Sequence, residues 1–414
     1  MLFKEDAKAR AQHQAVRENA GWYRWTHDLV QVTGPDADAF VDWLFVNTVG
    51  KAAVGRTKYT TMLNEDGKII DDTIVMHMGE GLWWVSTLYA PQFLKWADAH
   101  KGAYDVSYAD ITKTVDMYSI QGPNSLAVMN VLLAAPVDEI KRFQVADNKI
   151  GDIDVKVHRS GFTGELGYEV YCAIADTAAV EAAIRAAAAK FDAPELTILE
   201  VYVRSLPVEK GFALRQDMYM LTPYECGLGW SVNLEKDFVG KEALLKAREE
   251  GPKYKLVGLE YLAESYEDIC QRETVYSYGV PVGFVRAAIY GYTVDKNIGF
   301  AVIRADKAVE ARHGVLPGMR YEFFDDRVKL TGEGSMTIPY KKFARLTQDR
   351  EYLYLFLSKD SVCMLERATL KPAKPEAFMK FIEEKTGLAW RREFSLLTLN
   401  LADLLQISGD RHRK

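Results

Sequence analysis

Strand-like and helix-like hydrophobic patterns alternate along the chain from Gly21 to about Leu330. Apolar residues at every second position predict half-buried strands, and apolar residues three or four positions apart predict amphipathic helices. The two patterns do not repeat as regular βαβ units. The sequence therefore predicts an α+β fold.

Two segments repeat the order of a strand, a Gly-Pro step and a helix. GPDADAF (residues 34–40) opens one amphipathic helix, and QGPNSLAVM (residues 121–129) follows an alternating strand and opens another. This indicates an internal pseudo-repeat. A third helix is predicted over Thr177 to Lys190, because alanine dominates that segment and has the highest helix propensity.

The charge balance changes near the end of the chain. Residues 341–414 contain 15 lysines and arginines against 10 acidic residues, whereas the whole chain carries a net charge of −6. Residues 350–357 and 361–370 read as two strands, and AFMKFIEEKTG reads as a helix that ends at Gly387. This β-β-α pattern predicts a separate module, and it resembles the YcxB-like domain.

The composition of the 414 residues is that of a soluble globular protein, with 48% hydrophobic and 27% charged residues. The length predicts about two to four domains. The negative net charge argues against a nucleic-acid surface, and no apolar run is long enough for a membrane span, so we expect a cytoplasmic protein with a small-molecule ligand. Neither the four cysteines nor the histidines have metal-ligand spacing, and we expect no metal.

The most informative segment is KYTTMLNEDGKIIDDTIVMHM, residues 58–78. Asp66-Gly67 predicts a two-residue type I′ hairpin turn, in which residues facing each other have numbers that sum to 133. Tyr59 and Asp72 are then diagonal neighbours on one face. Adjacent aspartates in an apolar strand are costly to bury, which suggests a functional role. The alternative is that Asp71 faces solvent and Asp72 caps a backbone turn.

A second segment, HRSGFTGELGYEVY (residues 158–171), predicts a tight glycine-rich loop that enters a strand carrying Tyr168 and Glu169. Its spacing fits neither a dinucleotide fingerprint nor a Walker A loop. A carboxylate beside an aromatic ring suits a flat heterocycle with adjacent N–H donors, because the ring can stack while the two oxygens accept from the donors.

Eight motifs occur in the order found in the glycine cleavage T-protein family, which this chain resembles from about His13 to Leu330. The motifs are HQAVRENAG (13–21), YTTMLNEDGKIIDD (59–72), QGPNS (121–125), SGFTGELGYEV (160–170), VEKGF (208–212), GLGWSVNLEKDFVGKEAL (227–244), KLVGLE (255–260) and GVPVGFVRAAIYGYTVDKNIGFAVI (279–303).

The resemblance implies a three-lobed fold around a central folate channel. On this basis residues 1–250 form a folate-binding transferase region of two lobes, residues 251–335 form a C-terminal β-barrel lobe, and residues 336–414 form the appended YcxB-like module. The family also implies tetrahydrofolate as the cofactor.

Carried over residue by residue, Asp72 corresponds to the family's catalytic aspartate and Glu169 to the glutamate that binds the pteridine. Tyr59 corresponds to a tyrosine of the folate channel, and Tyr168 is assigned to the cofactor site with it. A carboxylate near the folate amine can orient the nucleophile and stabilise the positive charge that develops on it.

Three departures from the aminomethyltransferase pattern cluster at the substrate end of the channel. The phrase FDVSHM is replaced by YRWTHD, which puts Arg24 in place of an aspartate, while Ser86 replaces an asparagine and Pro207 replaces an arginine. A glycine-derived aminomethyl group on a carrier is therefore not expected.

The same stretch is rich in aromatic residues. Trp22, Tyr23 and Trp25 suggest a substrate site for a flat ring or a cationic onium group. Core packing of the first strand is the alternative for these three residues.

His27 keeps its place although its neighbours differ. It is predicted to protonate a departing oxyanion, with a purely structural histidine as the alternative. The sequence thus predicts a tetrahydrofolate-dependent methyltransferase or demethylase that acts on a small methylated donor. The alternatives are a glycine cleavage aminomethyltransferase and a folate-binding protein without activity, although relatives of the latter kind carry a cysteine phrase where this chain reads EKGFALRQDM.

Overall fold

The computed structural model describes residues 4–25, 27–261, 272–277, 280–308, 320–331, 335–349, 352–357, 362–371 and 374–392. The chain divides into two compact units. The first contains Met1–Pro252, Leu256–Val275 and Gly283–Val302, and the second contains Ile303–Lys414 with Lys253–Lys255 and Tyr276–Val282. Within the described ranges, no helix has both the length and the apolar character needed to cross a membrane.

The α-helices are short and nearly all lie in the first unit. They are α1 (Ala7–Glu18), α2 (Ala37–Leu44), α3 (Ala90–His100), α4 (Ser125–Leu132), α5 (Thr177–Ala189), α6 (Leu206–Glu209), α7 (Arg215–Met218), α8 (Lys241–Glu250) and α9 (Pro375–Thr386). A π-helical turn, Val201–Ser205, precedes α6.

The first ten strands form two five-stranded sheets. They are β1 (Gly21–Arg24), β2 (Asp28–Thr33), β3 (Thr57–Leu63), β4 (Ile69–Gly79), β5 (Leu82–Thr87), β6 (Ser107–Asp110), β7 (Val115–Gln121), β8 (Val145–Ile150), β9 (Ile153–His158) and β10 (Gly167–Ala173). The strand orders are β3-β4-β5-β2-β6 and β1-β7-β10-β9-β8.

The two sheets have the same internal topology, as the repeated Gly-Pro phrases predicted. In each, a strand leads through a Gly-Pro step into a helix, and three further strands return beside it. Gly34 and Gly122 occupy the same position in the two copies and have φ values of 134° and 124°, which disfavour a side chain.

Each sheet buries its outer face under its own helices. Residues of α2 and α3 pack on the first sheet around Phe40 and Phe93, and residues of α4 and α5 pack on the second around Val128 and Ile184. The inner faces meet through a smaller cluster that includes Leu29, Met76, Met117 and Tyr171. The predicted functional residues lie on these inner faces.

Within the residues that the structure describes, eleven further strands follow α8. They are β11 (Tyr254–Tyr261), β12 (Thr274–Ser277), β13 (Val280–Gly291), β14 (Lys296–Arg304), β15 (Arg320–Phe323), β16 (Arg327–Thr331), β17 (Ser335–Pro339), β18 (Arg345–Gln348), β19 (Tyr352–Phe356), β20 (Val362–Glu366) and β21 (Trp390–Arg392). Strands β11 to β14 form a four-stranded sheet in the order β11-β14-β13-β12.

The second unit contains the predicted β-β-α pattern as the antiparallel pair β19 and β20 followed by α9, which ends at Gly387 in the left-handed conformation. Strands β18 and β21 extend the sheet of β20 and β19 on one side, and β15 to β17 form a separate three-stranded sheet. Val328 and Leu330 of β16 share one hydrophobic core with Phe378 and Ile382 of α9. The boundary predicted between residues 335 and 336 therefore lies inside this unit, because the core joins residues on both sides of it.

Candidate functional site

The hairpin of β3 and β4 carries Tyr59 and Asp72, and its turn differs from the sequence prediction. Asn64 and Lys68 pair across a three-residue loop, and Gly67 has a φ of 72°. This is a type I turn with a left-handed third residue rather than the predicted two-residue type I′ turn. The pairing then shifts by one residue, because Ile70 forms a β-bulge on β4.

The bulge restores the predicted pairing beyond it, since Thr61 faces Asp72 and Tyr59 faces Ile74. The Tyr59 hydroxyl donates a hydrogen bond to the Asp72 carboxyl at 3.1 Å. Trp230 stacks on the Tyr59 ring with centroids 6.1 Å apart, and half of its side chain is exposed. The structure thus brings together the predicted aromatic residue and carboxylate.

Asp71 does not face solvent, contrary to the alternative derived from the sequence. It lies on the opposite face of β4 and is only 4% exposed. Its carboxyl accepts hydrogen bonds from the Thr87 hydroxyl at 2.5 Å and from the Asp72 backbone N–H at 3.0 Å. Asp71 is buried because the bulge at Ile70 turns both residues 70 and 71 toward the helix-covered side.

Asp71, which is buried, and Asp72, which is half-buried, form an acidic pair. Burial, reinforced by the charge of Asp71, raises the pKa of Asp72 to about 7, although the hydrogen bond from Tyr59 opposes this. Burial also raises the pKa of Asp71 to about 6 against the hydrogen bond from Thr87. A carboxyl that changes protonation near neutral pH can both accept and return a proton.

Glu169 lies at the centre of a second hydrogen-bond network. Its Oε2 atom accepts from His158 Nδ1 at 2.9 Å and from the Tyr171 hydroxyl at 3.1 Å. His158 Nε2 in turn contacts the Thr57 hydroxyl of β3 at 2.9 Å, which links the two sheets. Burial alone would raise the pKa of Glu169, but the hydrogen bonds from His158 and Tyr171 and the charge interactions with His158 and His27 together outweigh burial, and the pKa is lowered. Glu169 is therefore held as a half-buried carboxylate.

His27 lies between the two sheets. Its Nδ1 atom is 3.2 Å from the Ser86 hydroxyl, and its ring meets the Tyr171 ring edge-on with centroids 6.2 Å apart. Burial lowers the pKa of His27, against the raising influence of the Asp28 carbonyl and of Glu169. At neutral pH the imidazole is uncharged, so it can donate one hydrogen bond and accept another.

Two of the three predicted substrate aromatics lie on the inner face. Tyr23 stacks on Tyr202 with centroids 5.2 Å apart, and Trp25 lies 5.6 Å from the same Tyr202 ring. The Tyr202 hydroxyl is 2.8 Å from that of Ser119. Trp22 does not join this cluster, because strand alternation points it into the core beside Tyr118, where it is 2% exposed.

Tyr168 is also placed away from the predicted cofactor site. It is 1% exposed and packs with the residues of α4 and α5 on the outer face of its sheet. Its neighbour Glu169 points inward, since successive residues of a strand face opposite sides. The assignment of Tyr168 to the cofactor site is corrected to a core position.

The three departures from the aminomethyltransferase pattern do not cluster as predicted. Ser86 contacts His27 as described above, whereas Arg24 points to the outer face and forms an ion pair with buried Asp116 at 2.8 Å. Pro207 is buried in the first turn of α6, behind the π-helical turn. Only Ser86 lies beside His27.

Five residues of the site were not predicted from the sequence, namely Tyr171, Tyr202, Trp230, His158 and Arg215, the last of which bonds the Ile70 carbonyl at 2.6 Å. Alternation from Glu169 could have placed Tyr171 on the inner face. No sequence signal places Tyr202 beside Tyr23, because the π-helical turn that carries it is far away in the chain.

Polar groups on the inner faces provide hydrogen-bonding partners for a flat heterocycle. The Asp72 and Glu169 carboxyls are acceptors there. Thr61 is fully buried opposite Asp72, and among the described residues no group bonds its hydroxyl. An unbonded buried hydroxyl is costly and is satisfied most simply by a ligand or a water.

Three family models match the chain in succession. They are the GCVT N-terminal domain over residues 3–236, the glycine cleavage T-protein C-terminal barrel domain over residues 255–320, and the YcxB-like protein over residues 323–382. The third match begins near β15, before the boundary predicted from sequence.

Curated relatives cover most of the chain. An aminomethyltransferase of Geobacillus kaustophilus (strain HTA426) is 32% identical over 316 residues, which are 73% of this chain and 84% of that protein. An aminomethyltransferase of Shouchella clausii (strain KSM-K16) is 32% identical over 311 residues, which are 72% of this chain and 82% of that protein.

A solved structure shares the fold. The glycine cleavage system aminomethyltransferase T of Bartonella henselae superposes with a TM-score of 0.65 at 21% identity and covers 80% of this chain and 87% of its own. The predicted α+β T-protein fold is thereby confirmed. Taken with the family models and the curated relatives, these likenesses show that the chain belongs to the glycine cleavage T-protein family.

Proposed function

We propose that the protein transfers a methyl group from a small methylated donor, with an O-, S- or N-methyl bond, to N5 of tetrahydrofolate. That the protein is a folate-dependent one-carbon transferase follows from its family, whose members have this activity. Tetrahydrofolate is the family's cofactor, as the resemblance implied. The nature of the donor is the part we propose.

The residues of the inner faces fit tetrahydrofolate. Glu169 is held as a carboxylate by His158 and Tyr171 and supplies acceptor oxygens for ring N–H groups. Tyr59 and Trp230 offer an aromatic surface, and Asp72 supplies a carboxyl that changes protonation near neutral pH. When bound, tetrahydrofolate supplies the amine nitrogen that accepts the one-carbon group.

Asp72 and Tyr59 are proposed to act together. The ionised Asp72 carboxylate would orient the amine and stabilise positive charge next to it. The Tyr59 hydroxyl, bonded to Asp72 at 3.1 Å, holds that carboxyl in one orientation. Tyr59 itself stays protonated, because burial and the charge of Asp72 raise its pKa well above the ordinary value.

The observation that carries the choice of donor is the aromatic cluster of Tyr23, Trp25 and Tyr202 on the inner face. Arg24, which stands where the aminomethyltransferase phrase has an aspartate, points outward to Asp116 at 2.8 Å and so places no charge on that face. The inner-face neighbours of His27 are then the Ser86 hydroxyl and the Tyr171 ring. An uncharged aromatic surface formed by Tyr23, Trp25 and Tyr202 suits a methylated aromatic or onium donor better than a primary ammonium group.

The test is a screen of O-, S- and N-methyl donors with tetrahydrofolate, read by the appearance of 5-methyltetrahydrofolate. We expect at least one class of donor to give this product in the wild type, and about 100-fold more slowly or worse in Asp72→Asn. Formation of 5,10-methylenetetrahydrofolate from an aminomethylated carrier protein, with no methyl donor active, would contradict the proposal.

That second product defines the alternative function, a glycine cleavage aminomethyltransferase. It is supported by the names of the curated relatives. They are aminomethyltransferases, and the match to this chain covers more than four-fifths of the length of each. Because the two reactions give different folate products, one chromatographic assay distinguishes them.

A further inference from the structure

The Asp71–Asp72 pair lies directly beside an irregular piece of backbone. Ile70 is the extra residue of the bulge and has no partner on β3. Its neighbour Ile69, which faces Leu63 on β3, also bonds the segment after α7. The Ile69 N–H donates to the Leu221 carbonyl at 2.7 Å, and the Ile69 carbonyl accepts from the Met220 N–H at 2.9 Å. Bulges occur next to functional sites because they redirect side chains, and here the bulge sets where both carboxyls point.

Arg215 binds the backbone of this bulge. Its Nε atom donates to the Ile70 carbonyl at 2.6 Å, and its guanidinium also donates to the Gln92 side chain at 2.9 Å. The guanidinium carbon lies over two aromatic rings, 3.9 Å from the Tyr89 centroid and 4.5 Å from the Tyr219 centroid. A guanidinium that contacts two rings and donates two hydrogen bonds has little freedom to move.

The charge of Arg215 is not used by an ion pair within the part of the chain that the structure describes. It nevertheless lowers the pKa of both Asp71 and Asp72, against the larger raising influence of burial. Another cation near α7, Arg286, bonds the Gln216 and Tyr219 carbonyls at 3.4 and 3.2 Å. Arg286 is therefore a natural comparison for Arg215.

The titratable and charged groups around the pair come from every neighbouring element. They are Tyr59 on β3, Asp28 on β2, Arg215 and Asp217 on α7, and Cys226 after α7. Asp217 is engaged by Arg204 through two contacts of 3.0 and 3.2 Å. Arg215 is thus the cation that acts on both members of the pair.

We propose that Arg215 is a positioning residue for the Asp71–Asp72 pair, binding the backbone of the bulge at Ile70 and holding one positive charge beside both carboxyls. This inference rests on the proposed function for the catalytic role of the pair, whereas the contacts of Arg215 do not depend on it. Without the guanidinium, the ionised state of the pair has no fixed cation next to it, and the bulge carbonyl loses its donor.

The experiment compares Arg215→Gln, Arg215→Lys and the control Arg286→Gln by titrating the aspartate carboxyls of the full-length protein without substrates. Infrared difference spectra of wild type and Asp72→Asn assign the carboxyl band. We expect Arg215→Gln to move the midpoint upward by about one pH unit, the size of one nearby charge at intermediate dielectric. Arg286→Gln should leave the midpoint within about a fifth of that shift.

Arg215→Lys keeps the positive charge but loses the planar guanidinium, with its several N–H donors and its stacking on the rings. The midpoint of its carboxyl titration should therefore fall between those of wild type and Arg215→Gln. The low-pH limb of methyl transfer should follow the same order. A midpoint in Arg215→Gln equal to that of Arg286→Gln would overturn the proposal, and a wild-type midpoint in Arg215→Lys would overturn the role of guanidinium geometry. Because the titration needs no turnover, it still tests Arg215 if Asp72→Asn proves fully active.

Discussion

Ser86 on β5 and Tyr171 on β10 occupy equivalent positions in the two five-stranded sheets. Leu82 pairs with the last residue of β2 and Gly167 with the last residue of β7, and a Gly-Pro step follows both strands. Ser86 and Tyr171 each come four residues after those paired positions. His27 contacts both, so it lies where the two halves of the internal repeat meet.

This placement leads to a prediction for His27→Asn. The half-buried imidazole is uncharged at neutral pH, so its N–H can donate a hydrogen bond to a departing oxygen and stabilise the negative charge that develops there. We expect turnover with an O-methyl donor to fall about 100-fold, the scale of a lost hydrogen-bond donor to a developing oxyanion. With a sulfonium donor, which leaves as a neutral thioether, the loss should be below about fivefold. Equal losses with both donors in steady-state assays would assign His27 a structural role.

Asp72→Asn should act mainly on turnover. The amide keeps the volume and can still accept from Tyr59, but it cannot stabilise positive charge at a bound amine. We expect kcat to fall by about 100-fold or more, with folate affinity changed far less.

The matched control is Asp71→Asn, on the other face of the strand. It removes a neighbouring negative charge that raises the pKa of Asp72, so it should keep most of the activity and shift the low-pH limb downward. An inactive Asp71→Asn beside an active Asp72→Asn would reverse the two roles.

Glu169→Gln should weaken folate binding. The substitution keeps the shape but puts an NH₂ group where an acceptor oxygen receives His158 and Tyr171. We expect a loss of about 1.5 to 3 kcal/mol, or roughly tenfold or more in Kd. Calorimetric titration with tetrahydrofolate measures it.

Tyr168→Phe is the control, because the structure places that residue in the core. Its folate affinity should match that of wild type within about twofold. A large loss in Tyr168→Phe, with none in Glu169→Gln, would return the cofactor site to the position assigned from sequence.

The acidic pair predicts how stability depends on pH. The pKa values of about 6 and about 7 for Asp71 and Asp72 lie above those of unfolded aspartates, so the folded state retains protons that the unfolded state releases. Stability should therefore fall as pH rises from about 4 to about 7. Asp72→Asn removes part of this penalty and should be about 1 to 3 kcal/mol more stable than wild type at pH 8, with a smaller difference at pH 4.5.

Thermal melts at the two pH values measure this difference. Asp154→Asn is the control, because that carboxylate is exposed and pairs with Lys149 at 2.6 Å. Its pKa is lowered, first by the hydrogen bond from Lys149, so any contribution has the opposite sign and is lost as pH falls. A melting difference for Asp72→Asn that grows toward low pH would contradict the raised pKa values of the acidic pair.

The C-terminal unit predicts where the chain can be cut. Truncation after Leu330 would separate β16 from β17, with which it pairs along its whole length, and would expose their shared core. We propose residue 320 as the boundary instead. Residues 1–319 should be soluble and bind folate, as measured by gel filtration and calorimetry. Insolubility of this fragment would show that the YcxB-like part is integral to the fold.

Local periodicity by itself determined much of the site. Alternation along β3 and β4 puts Tyr59 and Asp72 on one face, because the two-residue period of a strand depends on neighbouring residues alone. The predicted register of this pair was correct although the predicted turn type was wrong. The three-residue loop shifts the register between β3 and β4 by one residue from the predicted register. The extra residue of the bulge, Ile70, shifts it back.

Tertiary structure decided which alternating faces look inward and what meets them there. Trp22 and Tyr23 are neighbours on one strand, as are Tyr168 and Glu169, and the two members of each pair face opposite sides of their sheet. The sequence did not show which member faces the site, because that depends on which side of the sheet the helices cover. The contacts of Tyr202 with Tyr23 and of Arg215 with Ile70 join segments more than a hundred residues apart. Such contacts follow from how sheets and helices pack, which no local pattern in the sequence encodes.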